Sequence, residues 1–164
     1  MDAPMVIKQT FYNHLKTLSI AIITTVLYFG VCWYFEFEKA AVVMGLCYYA
    51  LTVVPSFFLH ISYYIRNKGT TSEILSDRII IYKNQKETVI RSDEIKEIVV
   101  YKSASMDRGG IPITPMEAYF FVRIYDNSNK KYELTCLMDT NIDKTIKVLQ
   151  GVEIFREKGF FNMV

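Results

Sequence analysis

The stretch TLSIAIITTVLYFGVCWYF, residues 17–35, contains no Asp, Glu, Lys or Arg, and the same is true of AAVVMGLCYYALTVVPSFFLHISYYI, residues 40–65. A helix needs about 20 apolar residues to cross the ~30 Å hydrocarbon core of a bilayer. Only residues 36–39, with sequence EFEK, separate the two runs. Backbone polar groups in lipid must be hydrogen-bonded within their own segment, so each run is predicted to be an α-helix. The two runs together predict an antiparallel transmembrane hairpin.

Two other readings of these apolar runs are less favoured. They could be buried helices of a soluble protein, but a chain of 164 residues is too short to cover two all-apolar helices on every side. The first run could be a cleaved signal sequence. Signal sequences have shorter apolar cores, of about 7 to 15 residues, and end at small residues. This run ends instead in CWYFEF.

The distribution of Lys and Arg predicts the orientation of the hairpin. Lys8 and Lys16 precede the first run, and Arg66 and Lys68 follow the second. The turn at residues 36–39 has one Lys against two Glu. Cytoplasmic loops of membrane proteins carry an excess of Lys and Arg. We therefore expect both termini in the cytoplasm and the turn on the other side of the membrane.

From residue 70 onward the pattern changes from helical to β. Short runs of β-branched and aromatic residues alternate with polar turns, which is typical of antiparallel strands. Residues 103–117 contain two Gly and two Pro and are predicted to be a long loop. The predicted strands are SEIL, RIIIYK, TVIR, KEIVVYK, AYFFVRIYD and KYELTCLM.

The segment DTNIDKTIKVLQG, residues 139–151, is predicted to be a C-terminal helix. Ile142, Ile146 and Leu149 recur at helical spacing and form one apolar stripe. An amphipathic helix after a run of strands favours an α+β fold, in which a bent antiparallel sheet of about six or seven strands is closed by that helix. The predicted divisions are an N-terminal cytoplasmic segment at 1–16, the hairpin at 17–65, the β domain at 70–155 and a tail at 156–164.

Two short motifs in the β region resemble those of a known family. Ser76-Asp77-Arg78-Ile79 lies between two strands, and Ser92-Asp93-Glu94-Ile95-Lys96 precedes the fourth. Both are similar to the opening strands of bacterial membrane-anchored PH-like (pleckstrin-homology-like) domains, many of which follow two transmembrane helices. The resemblance implies a multi-pass protein of the bacterial inner membrane, with the PH-like domain in the cytoplasm.

The sequence shows no pattern that predicts enzymatic chemistry. Nucleotide-binding glycine loops, nucleophile elbows and zinc-protease motifs are absent from it. The cysteines at positions 32, 47 and 136 form no CxxC pair, and His14 and His60 have no ligand spacing. We expect a non-enzymatic protein with no catalytic residue, no metal site and no cofactor.

Two ligand classes remain open for the domain, namely protein and anionic lipid. Lys83, Lys86 and Arg91 are predicted to surround one turn, and Arg108 lies in the long loop, so these four residues are the candidate lipid contacts. From residue 66 onward, however, 16 basic residues are interspersed with 14 acidic ones. A lipid headgroup site or nucleic-acid surface would show a basic block. We therefore favour an interaction, scaffold or assembly module, whose partner is a membrane protein or a second copy, over a lipid-binding module.

Overall fold

The structure is a computed structural model that describes residues 4–159, 162 and 163. A short strand precedes the two long helices, and seven strands follow them. The predicted segments 1–16 and 156–164 include residues 1–3, 160, 161 and 164, which lie outside the described residues. The elements are β1 (Met5–Lys8), α1 (Phe11–Tyr34), α2 (Lys39–Asn67), β2 (Thr70–Ile74), β3 (Arg78–Lys83), β4 (Lys86–Arg91), β5 (Ile95–Lys102), α3 (Ala104–Asp107), β6 (Phe121–Asp126), β7 (Lys131–Thr135), α4 (Ile142–Thr145) and β8 (Ile154–Lys158).

The two apolar runs form the two long helices; α1 begins before the predicted run 17–35 and ends at Tyr34, and α2 extends past the run 40–65 at both ends. α1 begins at Phe11 because the Thr10 hydroxyl accepts a hydrogen bond from the Asn13 backbone N–H, which caps the helix. Glu36 and Phe37 adopt positive φ angles of 49° and 56° in the turn between the helices. Both helices are long and apolar enough to cross a membrane.

The first sheet has the strand order β1-β2-β3-β4, with all neighbours antiparallel. β1 pairs with β2 from Met5 opposite Ile74 to Lys8 opposite Thr71. The sequence prediction begins the β domain at residue 70 and leaves residues 5–8 in a separate segment, so the structure differs here. In MVIK only Ile7 is buried, and one inward side chain is too little for a period-two pattern to reveal a strand.

The second sheet has the order β7-β6-β5-β8. β5, β6 and β7 are antiparallel neighbours, and β8 runs parallel to β5. All six predicted strands are present, but β8 spans Ile154–Lys158 and crosses the predicted domain end at residue 155. The loop at 103–117 also contains regular structure, namely α3 and the start of a 3-10 turn at Pro115–Ala118.

The C-terminal helix is much shorter than the predicted 139–151. α4 covers only Ile142–Thr145 and continues into a 3-10 turn at Ile146–Val148. The three residues of the predicted stripe, Ile142, Ile146 and Leu149, are nevertheless buried in the domain core. The structure confirms the α+β fold, with two four-stranded sheets and a short C-terminal helix.

We predict that Ile146→Asp strongly destabilises the protein. Ile146 is completely buried, and an aspartate there would leave a charge without water or a partner in the core. The expected loss in the free energy of unfolding is about 3 kcal/mol or more. Urea unfolding of the full-length protein in mild detergent, followed by circular dichroism, measures it. Lys147→Asp, at an exposed neighbour, is the control, and equal losses in both variants would contradict the buried role of Ile146.

Candidate functional site

The N-terminal end of α1 is attached to the chain segment that follows β7. The Asn13 side-chain amide donates to the Met138 carbonyl at 2.8 Å, and the Lys16 ammonium donates to the Thr140 hydroxyl at 2.9 Å. These bonds join residues more than a hundred positions apart. The first turns of α1 are therefore part of the domain and not a linker to it.

The C-terminal end of α2 packs into the domain core through an aromatic cluster. The Tyr63 ring lies edge-on to Tyr119 and Phe121, with ring centroids 5.5 and 6.2 Å away, and it is completely buried. Its hydroxyl donates to the Asn162 carbonyl at 2.7 Å. Such aromatic pairs contribute about 0.5–1.5 kcal/mol beyond the area they bury. The cluster holds α2 against the second sheet.

Two histidines link the helices to each other and to the domain. His14 Nδ1 lies 3.0 Å from His60 Nε2, and His60 Nδ1 lies 3.1 Å from the Tyr119 hydroxyl oxygen. Burial raises the pKa of Tyr119, so this hydroxyl stays protonated and can donate to His60. The two histidines are 46 positions apart and show no ligand spacing in the sequence, but the antiparallel helices bring them into contact.

Charged residues also connect the C-terminal end of α2 to the second sheet. The Glu133 carboxylate accepts from Arg66 at 3.0 Å and from Arg123 at 2.7 Å, and its side chain is mostly buried. A nearly buried carboxylate between two guanidinium groups is well compensated. Arg66 lies in the last turn of α2, whereas the other two residues belong to the second sheet, so the network ties the helix to that sheet.

The four candidate lipid contacts do not form one site. Lys83 and Lys86 flank a tight turn, where Lys83 donates to the Arg66 carbonyl at 2.9 Å. Arg91 lies at the other end of β4, about 17 Å along the strand from Lys86. Its partner on β3 is Arg78. Arg108 is exposed in a different loop.

A different set of basic residues lines a cavity of about 620 Å³. This basic pocket carries five basic and two acidic side chains, namely Lys16, Lys102, Lys144, Lys147, Arg156, Asp107 and Asp143. Lys102 pairs with Asp143 at 2.9 Å, and Arg156 pairs with Asp107. Lys144 and Lys147 are exposed and form no salt bridge within the described part of the chain. Sequence reasoning missed this pocket because its residues come from four separate stretches of the chain, at 16, 102–110, 140–147 and 156.

An apolar cavity of about 280 Å³ adjoins the basic pocket beside α1. Lys16, Met106 and Thr140 line both cavities. We call the second one the apolar groove; its other main lining residues are Ile20, Ile111, Pro112 and Phe120. Farther along α1, Ile113 of the same loop lines a larger cavity between the two helices. The loop at 103–117 therefore lies along the first helix.

A family model described as a PH domain matches residues 6–144, which is most of the chain. This protein belongs to the PH domain family. The match begins in β1, before the hairpin, so this PH domain includes the strand and both helices that follow it. No curated protein and no solved structure matches the chain.

We predict that the PH domain depends on Tyr63 much more than on its neighbour. Tyr63→Ala removes a buried aromatic ring and should lower the free energy of unfolding by about 3–5 kcal/mol. Tyr64 is exposed, so Tyr64→Ala should cost far less. Thermal unfolding of the two full-length variants in the same detergent makes the comparison. Similar melting temperatures for both would show that the aromatic cluster does not hold α2 to the domain.

Proposed function

We propose that this protein is a non-enzymatic integral protein of the bacterial inner membrane. Its hairpin crosses the bilayer, and both termini lie in the cytoplasm. Its PH domain acts as an interaction or assembly module for another membrane protein or a second copy of the chain. The observation that carries this proposal is that the hairpin is inserted between two strands of the PH domain, so that membrane anchor and domain are one folded unit.

The surface of the hairpin supports insertion into a membrane. Large apolar side chains point outward along both helices, and soluble proteins seldom expose a continuous apolar surface of this extent. Trp33 and Tyr34, near the turn, are among the most exposed, and these residue types favour the membrane interface. Other exposed residues are Ile22, Ile23, Val26, Leu27, Phe29, Val43, Met44, Leu46 and Leu51.

The length of α1 agrees with the thickness of a bilayer. Lys16 and Tyr34 are 18 residues apart in one helix, which corresponds to about 27 Å. A hydrocarbon core is about 30 Å thick. When the turn lies at one interface, Lys16 reaches the headgroups of the other, next to the PH domain.

A free sheet edge supports the interaction role. β4 is the last strand of the first sheet and, among the residues that the structure describes, pairs only with β3. Val89 on this strand is 45% exposed and lines a small cavity together with Asp126 and Tyr132. An unpaired strand edge can accept an extended peptide as an additional strand. We propose that the partner binds along β4.

The non-enzymatic part of the proposal is supported by the way in which buried reactive groups are used. Burial raises the pKa of the Cys136 thiol to about 12, so the thiol is not a nucleophile at neutral pH. Its sulfur lies 4.0 Å from the hydroxyl of Thr17 on α1, where the helix packs against the domain. His14 and His60 are hydrogen-bonded to each other, and His60 also bonds to Tyr119, as expected of structural side chains.

The proposed topology predicts the reactivity of two engineered cysteines. In a variant without the three native cysteines, Lys39→Cys should react with an impermeant thiol reagent in intact cells, because the turn faces outward. Lys68→Cys should react only after the cells are permeabilised. Both positions are exposed in the structure, so burial does not protect either of them. Labelling in the opposite order would place the domain outside the cytoplasm.

The proposed partner edge predicts a difference between two surface variants. Val89→Glu places a charge on the β4 edge and should reduce co-purification of a membrane-protein partner, or of a tagged second copy, in mild detergent. The control is Lys83→Ala/Lys86→Ala/Arg91→Ala, which should leave the same partner bound. Melting temperatures establish that both variants fold. Loss of the partner only in the triple variant would show that the basic side chains at the two ends of β4, and not the exposed face of Val89, contact the partner.

A further inference from the structure

We propose that an anionic glycerophospholipid of the surrounding bilayer binds where α1 meets the PH domain, with its phosphate in the basic pocket and an acyl chain in the apolar groove. The inference rests on the membrane insertion proposed above. None of the pocket residues belongs to β2, β3 or β4, so this site is separate from the turn at Lys83 and Lys86.

The charges in the basic pocket favour a phosphate group. Both carboxylates already have cationic partners: Asp143 pairs with Lys102, and Asp107 pairs with Arg156. Lys158 is a second partner of Asp107, with its ammonium nitrogen 3.9 Å from the carboxylate. The remaining positive charge comes from three lysines. Lys16 donates only to a hydroxyl, and Lys144 and Lys147 form no salt bridge within the described residues. A phosphodiester brings one negative charge and several acceptor oxygens to these three ammonium groups.

The loop at 103–117 supplies the apolar wall, and its shape is well defined. The Glu117 carboxylate accepts from the Ser105 hydroxyl and from the Ile113 backbone N–H, the latter at 3.2 Å. A Cβ on Gly110 would lie 2.9 Å from the Ser105 carbonyl oxygen, so the turn requires glycine there. This anchored loop nevertheless leaves Ile111 80% exposed and Ile113 74% exposed.

Their position along α1 explains why two isoleucines are presented in this way. Ile111 shares the apolar groove with Ile20, one turn beyond Lys16 toward the hairpin tip. Ile113 lines the same cavity as Thr24 and Leu27, which lie about 12 and 16 Å from Lys16 along the helix, toward the hairpin tip. With Lys16 at the headgroups, the loop tip lies among the acyl chains and the basic pocket opens at the phosphate level.

The continuity of the two cavities distinguishes a lipid from a soluble phosphate compound. A free phosphate ester would need only the basic pocket. The apolar groove shares Lys16, Met106 and Thr140 with that pocket, so one molecule with a charged head and an apolar chain can occupy both. Phospholipids of the bilayer have this chemistry and are present at the required depth.

Native mass spectrometry of the full-length protein tests the proposal. The protein is equilibrated in micelles with equal amounts of phosphatidylglycerol and phosphatidylcholine, and the lipid retained on each molecule is counted. We expect one phosphatidylglycerol to be retained preferentially. Lys144→Gln/Lys147→Gln should weaken retention about 25-fold, at about a factor of five per lysine. Ile111→Ser/Ile113→Ser should weaken it several-fold.

The matched control is Lys83→Gln/Lys86→Gln, which removes the same charge at the β3–β4 turn and should leave retention unchanged. Equal losses in the two lysine variants, or equal retention of the two lipids, would overturn the proposal. Displacement of the lipid by millimolar glycerol 3-phosphate would show that the pocket binds a soluble phosphate ester instead. If cysteine labelling shows insertion but no lipid preference is seen, only this inference fails; if the hairpin does not insert, the proposed function fails as well.

Discussion

The packing of the domain-side end of the hairpin, where α1 begins and α2 ends, against the second sheet is the contact on which the other features of this structure depend. Tyr63 is enclosed by Tyr119 and Phe121, and the same region contains the histidine contact and the Glu133 ion pairs. β1 precedes the hairpin and β2 follows it, and the two strands pair with each other. The hairpin is therefore held at both ends of its insertion by contacts with the two sheets.

This attachment determines how the PH domain faces the proposed membrane. In a domain joined through a flexible linker, any face could approach the bilayer. Here the hairpin and the domain are packed together, so insertion of the hairpin would bring one fixed set of domain surfaces to the headgroups. The loop at 103–117 and the basic pocket lie beside α1, which is the membrane side in the proposed orientation. Within the described residues β4 has no second neighbouring strand, and this open edge is the one proposed to bind a protein partner.

Sequence reasoning predicted the elements that have a strong local signal. The two helices are long and uniformly apolar, and each of the six predicted strands has β-branched or aromatic residues between polar turns. β1 and β8 lack such a signal: Ile7 is the one buried residue of β1, and most of β8 is exposed. The C-terminal helix was predicted too long because its apolar spacing continues past residue 145. Asp139 binds the Asn141 N–H and the Thr145 hydroxyl, and regular α-helix ends after that turn.

The sequence by itself determined the order of the two long helices, the six strands that follow them and the short C-terminal helix, as well as the buried stripe of Ile142, Ile146 and Leu149, because these follow from periodicity within one segment. The tertiary structure alone decided which distant residues meet. Lys16, Lys102, Lys144, Lys147 and Arg156 are interspersed with acidic residues along the chain and give no basic block, so the composition argued against a phosphate site. Folding pairs the two nearby acids with other cations and leaves three lysines facing one cavity. Charge in a site depends on which side chains converge there, and local sequence does not contain that information.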